Sequence, residues 1–123
     1  MSDRHTSVVV LGGGPGGYEA ALVAAHLGAS VTVVDRDGLG GAAVLTDCVP
    51  SKALISTSHS LSRIEVAGGL GVRFDGVKSG HEPVPDLGAV NERIRGLAAA
   101  QSRDIEERLE TVGVRICRGV GRL

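Results

Sequence analysis

Three groups of residues in this 123-residue chain have the types and spacing to do chemistry. The first is Gly12-Gly13-Gly14-Pro15-Gly16-Gly17, which satisfies G-x-G-x-x-G. At that spacing Gly12 allows a tight turn, Gly14 lets backbone come close to a pyrophosphate, and Gly17 lets a helix pack closely on a strand. The second is Asp35, about 20 residues beyond the turn, where an acid would hydrogen-bond ribose hydroxyls. The third is Cys48 with Lys52 one helical turn further on, a thiol and a cation within one segment.

The elements that must position these groups are legible in the same stretch. Ser7 to Leu11, SVVVL, is a short β-branched run that stops at Gly12, as a buried parallel strand should. Pro15 to Gly28 is Ala- and Leu-rich, with proline in the first turn and glycine at the end, so a helix is predicted there. Val31 to Asp35 is a second apolar run. Strand, glycine turn, helix and strand make a βαβ unit on a parallel sheet, with the helix N-terminus offering free N–H groups to phosphates.

The rest of the chain is read more coarsely. The stretch Asp35 to Val44 reads as a loop, and Val49 to about Val66 as a helix with Leu54, Ile55, Leu61 and Ile64 as its apolar positions. Gly68 to Pro85 has no period, apart from a short strand expected at Val72–Phe74. Leu87 to Val112 repeats apolar residues at helical spacing through Leu87, Val90, Ile94, Leu97, Ile105, Leu109 and Val112, with a solvated charged face opposite. Gly113 ends that helix, and Val114 to Cys117 begins a third strand.

Composition narrows the classes. With 42% apolar and 22% charged residues, the chain is suited to a globular core of at most one domain. A net charge of −1 lacks the basic excess of a nucleic-acid binder, and Tyr18 and Phe74 are the only aromatics to stack on bases. No apolar run approaches the roughly 20 residues of a membrane span, and the polar start leaves no room for a signal peptide, so cytoplasm is the default. Two cysteines are too few for a disulfide scaffold or a zinc site, and the four histidines have no metal-ligand spacing. No metal is expected.

The fingerprint alone does not choose between FAD and NAD. The segment Gly40-Gly41-Ala42-Ala43-Val44-Leu45-Thr46-Asp47-Cys48-Val49-Pro50-Ser51-Lys52 resembles the redox segment of the flavoprotein disulfide reductases, the dihydrolipoamide dehydrogenase and glutathione reductase family. There, a glycine pair leads into two cysteines with four residues between them and then Ile/Val-Pro-Ser-Lys. The resemblance covers the whole chain. It implies a Rossmann-like FAD/NAD(P)-binding α/β fold with a parallel sheet, of which residues 1–123 would be the N-terminal part. Nicotinamide-binding and dimerisation domains would lie elsewhere in a several-hundred-residue homodimer.

The same resemblance implies FAD, with the pyrophosphate on Gly12, Gly14, Pro15, Gly16 and Gly17, and the adenosine ribose on Asp35. Arg36 would meet an adenosine phosphate edge, Gly40, Gly41 and Ala43 would lie near the cofactor, and Gly121 would contact the adenine. Cys48 would sit beside the isoalloxazine and Lys52 near its N5, where a cation stabilises the reduced ring and orients it for hydride transfer.

The departure is at Ala43, where the first cysteine of the pair would stand. A disulfide relay needs two sulfurs, one attacked by substrate thiol and one exchanging electrons with the flavin. Cys48 matches the flavin-side partner and stands alone, while Cys117 reads as a buried strand cysteine. Lipoamide or glutathione reduction by the ordinary route is then lost, and electrons from NAD(P)H would leave the flavin directly to a quinone-type acceptor. The segment looks closest to actinobacterial members that reduce quinones and lack the disulfide. The soluble transhydrogenase also lacks a complete pair, but the resemblance implies the opposite cysteine is missing there. Two other readings stay open: a dihydrolipoamide dehydrogenase-like enzyme using another thiol, and a non-catalytic nucleotide-binding module. His5, His26, His59, His81 and the Ser56–Ser60 cluster are given no functional role.

Overall fold

The computed structural model describes residues 6–73 and 83–123. Its elements run β1 (Ser7–Leu11), α1 (Pro15–His26), β2 (Ser30–Asp35), α2 (Gly41–Leu45), α3 (Cys48–Ala67), a single 3₁₀ turn (Gly68–Leu70), α4 (Leu87–Thr111) and β3 (Arg115–Arg118). The strands form one parallel sheet in the order β1-β2-β3. In register, Val10 lies beside Val33, which lies beside Ile116.

The core occupies one face of this sheet. Val31 and Val33 of β2 pack with Ala21 and Leu22 of α1, Leu39, Val44 of α2, Ile105 and Leu109 of α4, and Val114. Leu39, Leu109 and Val33 are fully buried. Val8, Val10 and Ile116 join from the flanking strands, as the period of two requires. The opposite face carries no helix among the described residues: Val9 is 64% and Leu11 43% exposed. β1 therefore alternates instead of being buried on both sides as its composition suggested, because helices cover only one face and β1 is the edge of the three strands.

Other expectations are corrected by local geometry. The stretch after Asp35 is not all loop. Gly40 turns left-handed at φ 95°, and the next five residues close the short helix α2, which drives Val44 into the core. The helix expected from Val49 begins at Cys48 and runs through Ala67, but Leu54 and Ile55 are about half exposed and Ile64 is 45% exposed. In α4, Asp86 caps the helix by accepting the Ala89 amide at 3.0 Å, a preferred role for aspartate. Its buried positions are Ile94, Ala98, Ile105 and Leu109, whereas Leu87 and Leu97 face outward. Of the strand expected at Val72–Phe74, Val72 and Arg73 are irregular and Phe74 lies outside the described residues, as do His5 and His81.

Candidate functional site

The site is built at the carboxyl ends of β1 and β2, where open α/β sheets bind ligands. β1 ends at Leu11, and the Gly12 amide continues the ladder by donating to the Val34 carbonyl at 2.8 Å. Gly12 then turns with φ +97°, a conformation that L side chains rarely adopt. Pro15 occupies the first turn of α1, where its missing N–H costs nothing. A Cβ on Gly17 would run into the Gly12 carbonyl oxygen, so only glycine lets α1 sit this close to the turn.

The fit to a pyrophosphate can be judged from what surrounds the turn. A Cβ at Gly12, Gly14 or Gly16 would meet nothing within 4 Å, so backbone there faces open space. The first-turn amides of α1, including those of Gly16 and Gly17, have no intrahelical partners by construction. No acidic side chain lies in that first turn to offset the positive end of the helix dipole. The residues present fit a phosphate-bearing dinucleotide.

A second turn, residues 36–41, is fastened to the first. The Gly40 amide donates to the Gly13 carbonyl at 2.7 Å, and a Cβ on Gly41 would stand 3.0 Å from the Gly14 Cα. Asp35, at the end of β2, completes the fastening. One carboxylate oxygen accepts the Gly13 amide at 2.7 Å, and the other accepts the amides of Asp37 at 2.9 Å and Gly38 at 2.7 Å. Sequence reading assigned Asp35 a ligand and passed over Gly13 and Gly38. The signal was present in Asp35-Arg36-Asp37-Gly38, since an aspartate followed by a turn and a glycine commonly binds its own backbone.

The remaining predicted residues fall around this pair of turns. Gly121 lies over the ends of β1 and β2, against the side chains of Leu11 and Val34, and the Gly119 amide donates to the Asp35 carbonyl at 2.9 Å. Arg36 is exposed and its guanidinium is engaged by Asp37 through two 2.9 Å hydrogen bonds. That pair raises the Arg36 pKa and holds the Asp37 carboxyl below its ordinary value, chiefly through the hydrogen bonding and secondarily through charge. Ala43 is half-buried in α2, and Thr46 and Asp47 close back onto the Ala42 carbonyl before α3 begins. Cys48 opens α3 as an exposed free thiol, and Lys52 follows on the same helix, also exposed.

Cys117 departs from expectation. It lies on β3 beside Val34 and is an exposed free thiol, because its side of the sheet carries no helix. His26 donates from Nδ1 to the Leu22 carbonyl at 2.7 Å and His59 is exposed on α3, so neither joins the turns. Among the described residues no cluster of His, Cys, Asp and Glu could hold a metal ion. No helix among them is long and apolar enough to cross a membrane.

The family model for pyridine nucleotide-disulphide oxidoreductases matches residues 6–122. The chain belongs to that family. It is 46% identical to an NAD(P)H dehydrogenase (quinone) from Mycobacterium tuberculosis across 96% of this chain and 24% of that protein. It is 37% identical to dihydrolipoyl dehydrogenase 2 from Haloarcula marismortui across 93% of this chain and 23% of that protein. The crystal structure of LpdA from Mycobacterium tuberculosis superposes with a TM-score of 0.84 at 45% identity, covering 96% of this chain and 24% of that one. The chain thus spans about a quarter of the length of these relatives. For this family member the two glycine turns on a parallel sheet are the Rossmann-like framework that the fingerprint implied.

Proposed function

We propose that this chain is the FAD-holding part of a flavoprotein that passes electrons from NAD(P)H to a quinone-type acceptor without a redox-active disulfide. The observation that carries the reading is Ala43. In a segment that keeps the glycine pair Gly40-Gly41, Cys48 and Val49-Pro50-Ser51-Lys52, the position of the first sulfur is held by a methyl group, and Cys48 is a free thiol. A disulfide relay would need that second sulfur. The relative named NAD(P)H dehydrogenase (quinone) supports the same direction.

In this reading the first turn and the amides of Gly16 and Gly17 hold the pyrophosphate, and Asp35, Arg36 and Gly121 border the adenosine. FAD, when bound, would supply a ring that accepts hydride from a nicotinamide and delivers electrons one or two at a time. Lys52 contributes a cation on the face of α3 that also carries Cys48. The complete protein works as a homodimer in the cytoplasm.

The test compares acceptors on the full-length protein. Menadione turnover with NADH or NADPH, and no lipoamide turnover, is the expected result. Cys48→Ser should keep menadione turnover within about twofold, since no thiol step is required. Lipoamide reduction abolished by alkylation of Cys48 would instead establish a dihydrolipoamide dehydrogenase-like enzyme using another thiol, a reading favoured by the Haloarcula relative's name. Stable FAD binding with no turnover of any donor would leave a nucleotide-binding module.

A further inference from the structure

We infer that Asp35 is a positioning residue that locks the two glycine turns together before any cofactor arrives, in addition to whatever contact it makes with a ribose. Gly13 and Gly38 are buried, and a buried amide without a partner is costly, so each N–H must be satisfied. Asp35 satisfies both. Its two oxygens divide the work: one holds Gly13 in the first turn, and the other holds Asp37 and Gly38 in the second. An ionised carboxylate has about four acceptor positions. Three are taken by this chain's own backbone, leaving about one for a ligand.

Gly13 is the hub of the arrangement. Its N–H goes to Asp35, its carbonyl accepts from Gly40, and the space where its Cβ would lie is filled by the Leu39 side chain. The fingerprint spacing assigns this middle position no task, yet the hydrogen bonds between the turns, among the described residues, pass through it or through Asp35. Because Gly13 immediately precedes Gly14 and Gly40 immediately precedes Gly41, freeing the lock moves the backbone that faces the phosphates. Asp35 thereby acts on the phosphate end of the site, which its side chain need not touch. This deepens the reading of the turns as an FAD cradle and rests on that reading for its ligand arm only.

The experiment uses the full-length protein and two variants. Asp35→Asn is nearly isosteric. Its carbonyl oxygen can keep the Asp37 and Gly38 bonds, but its NH₂ faces the Gly13 N–H donor to donor. Amide exchange in the ligand-free protein, read on selectively ¹⁵N-glycine-labelled samples, should accelerate by about tenfold or more at Gly13 and stay near parent at Gly38. Asp35→Ala, if it folds, should accelerate both, while Gly28, in a turn Asp35 does not reach, serves as the internal control. Should the amide flip, its oxygen would keep Gly13 and Gly38 would accelerate instead, so unchanged exchange at both Gly13 and Gly38 in Asp35→Asn overturns the inference.

The ligand arm uses FMN, which carries a phosphate but no adenosine ribose, beside ADP, which carries the ribose. Weaker binding of both by Asp35→Asn supports the lock. Loss of ADP affinity with FMN affinity unchanged confines Asp35 to the ribose and overturns the lock's effect on the phosphate end. If the parent protein binds neither probe nor FAD, the cofactor reading fails, and the exchange result alone decides the lock.

Discussion

The paired glycine turns and the α3–α4 hairpin occupy neighbouring stretches of one chain, yet they are held in opposite ways. The turns close on themselves through backbone amides and the Asp35 carboxylate. Gly13, Gly38, Leu39 and Gly40 are buried, and short hydrogen bonds from Gly13, Gly38 and Gly40 tie one turn to the other. The hairpin leaves apolar surface in solvent. Ala67 is the one buried residue of α3, while Ile55 is 52% and Val66 59% exposed. Its specific polar link is Arg93, which reaches the Ala53 carbonyl at 3.4 Å and the Thr57 hydroxyl at 3.2 Å. A binding cradle made of main chain and fastened by one carboxylate is complete once its glycines and Asp35 are in place. A helix pair that relies on side-chain burial is stabilised only as far as other surfaces reach it.

This contrast can be broken by mutation, and the largest effect is expected in the turns. Gly17→Val forces a side chain into the Gly12 carbonyl, so it should cost more than about 3 kcal/mol and abolish flavin retention. Thermal melting and the visible absorbance of the purified protein check both. Retained flavin would mean that the turn yields more readily than its packing indicates.

The next effect belongs to the core under the turns. Leu109 is fully buried, so Leu109→Ala should cost about 2–5 kcal/mol in chemical denaturation. Ile55→Ala on the bare side of α3 should change stability by no more than about 0.5 kcal/mol. If the two cost the same in the full-length protein, another surface covers α3, and the contrast between the regions is a property of this segment alone.

Smaller still is the ion pair at the end of β3. Arg118 donates to both oxygens of Glu106 at 2.8 and 2.7 Å, but its side chain is 55% exposed. Solvent screening limits Arg118→Ala to about 0.5–1 kcal/mol, and the difference should shrink in high salt.

The smallest effect is at Asp37. Arg36 holds its carboxyl below the ordinary value of 3.8, so the pair's contribution is present above that value and is lost as pH falls through the lower folded one. Both groups are fully exposed. Any advantage in melting temperature of the parent over Asp37→Asn should therefore appear between about pH 5 and 8, stay small because both groups are exposed, and vanish in more acid solution. A separation that persisted or grew in acid would show that it does not come from the ionised Arg36–Asp37 pair.

Much of the first region was legible without a structure. β1, α1 and β2 fall within two residues of where β-branched runs, Pro15 and Gly28 put them, because those signals act over one or two turns of chain. The hairpin was legible as helices and illegible as surfaces. Helical spacing named Leu54, Leu87 and Leu97 as apolar positions, but spacing cannot say which apolar stripe meets a neighbour, and all three are exposed. Ala98 took the buried place beside Leu97 because adjacent helix positions point about 100° apart and only one of them faces inward.

The order of residues by itself determined the parallel βαβ unit, the glycine turn that opens α1, the acid at the end of β2 and an alanine at position 43. Each depends on residue type and short-range geometry, which the chain carries wherever it folds. Tertiary structure alone decided that Asp35 spends its oxygens on Gly13, Asp37 and Gly38, that the segment after Gly40 closes into α2, and that Cys117 stands in solvent instead of a core. Those outcomes depend on which segments distant in sequence come within hydrogen-bonding or packing distance, and no local pattern specifies that distance.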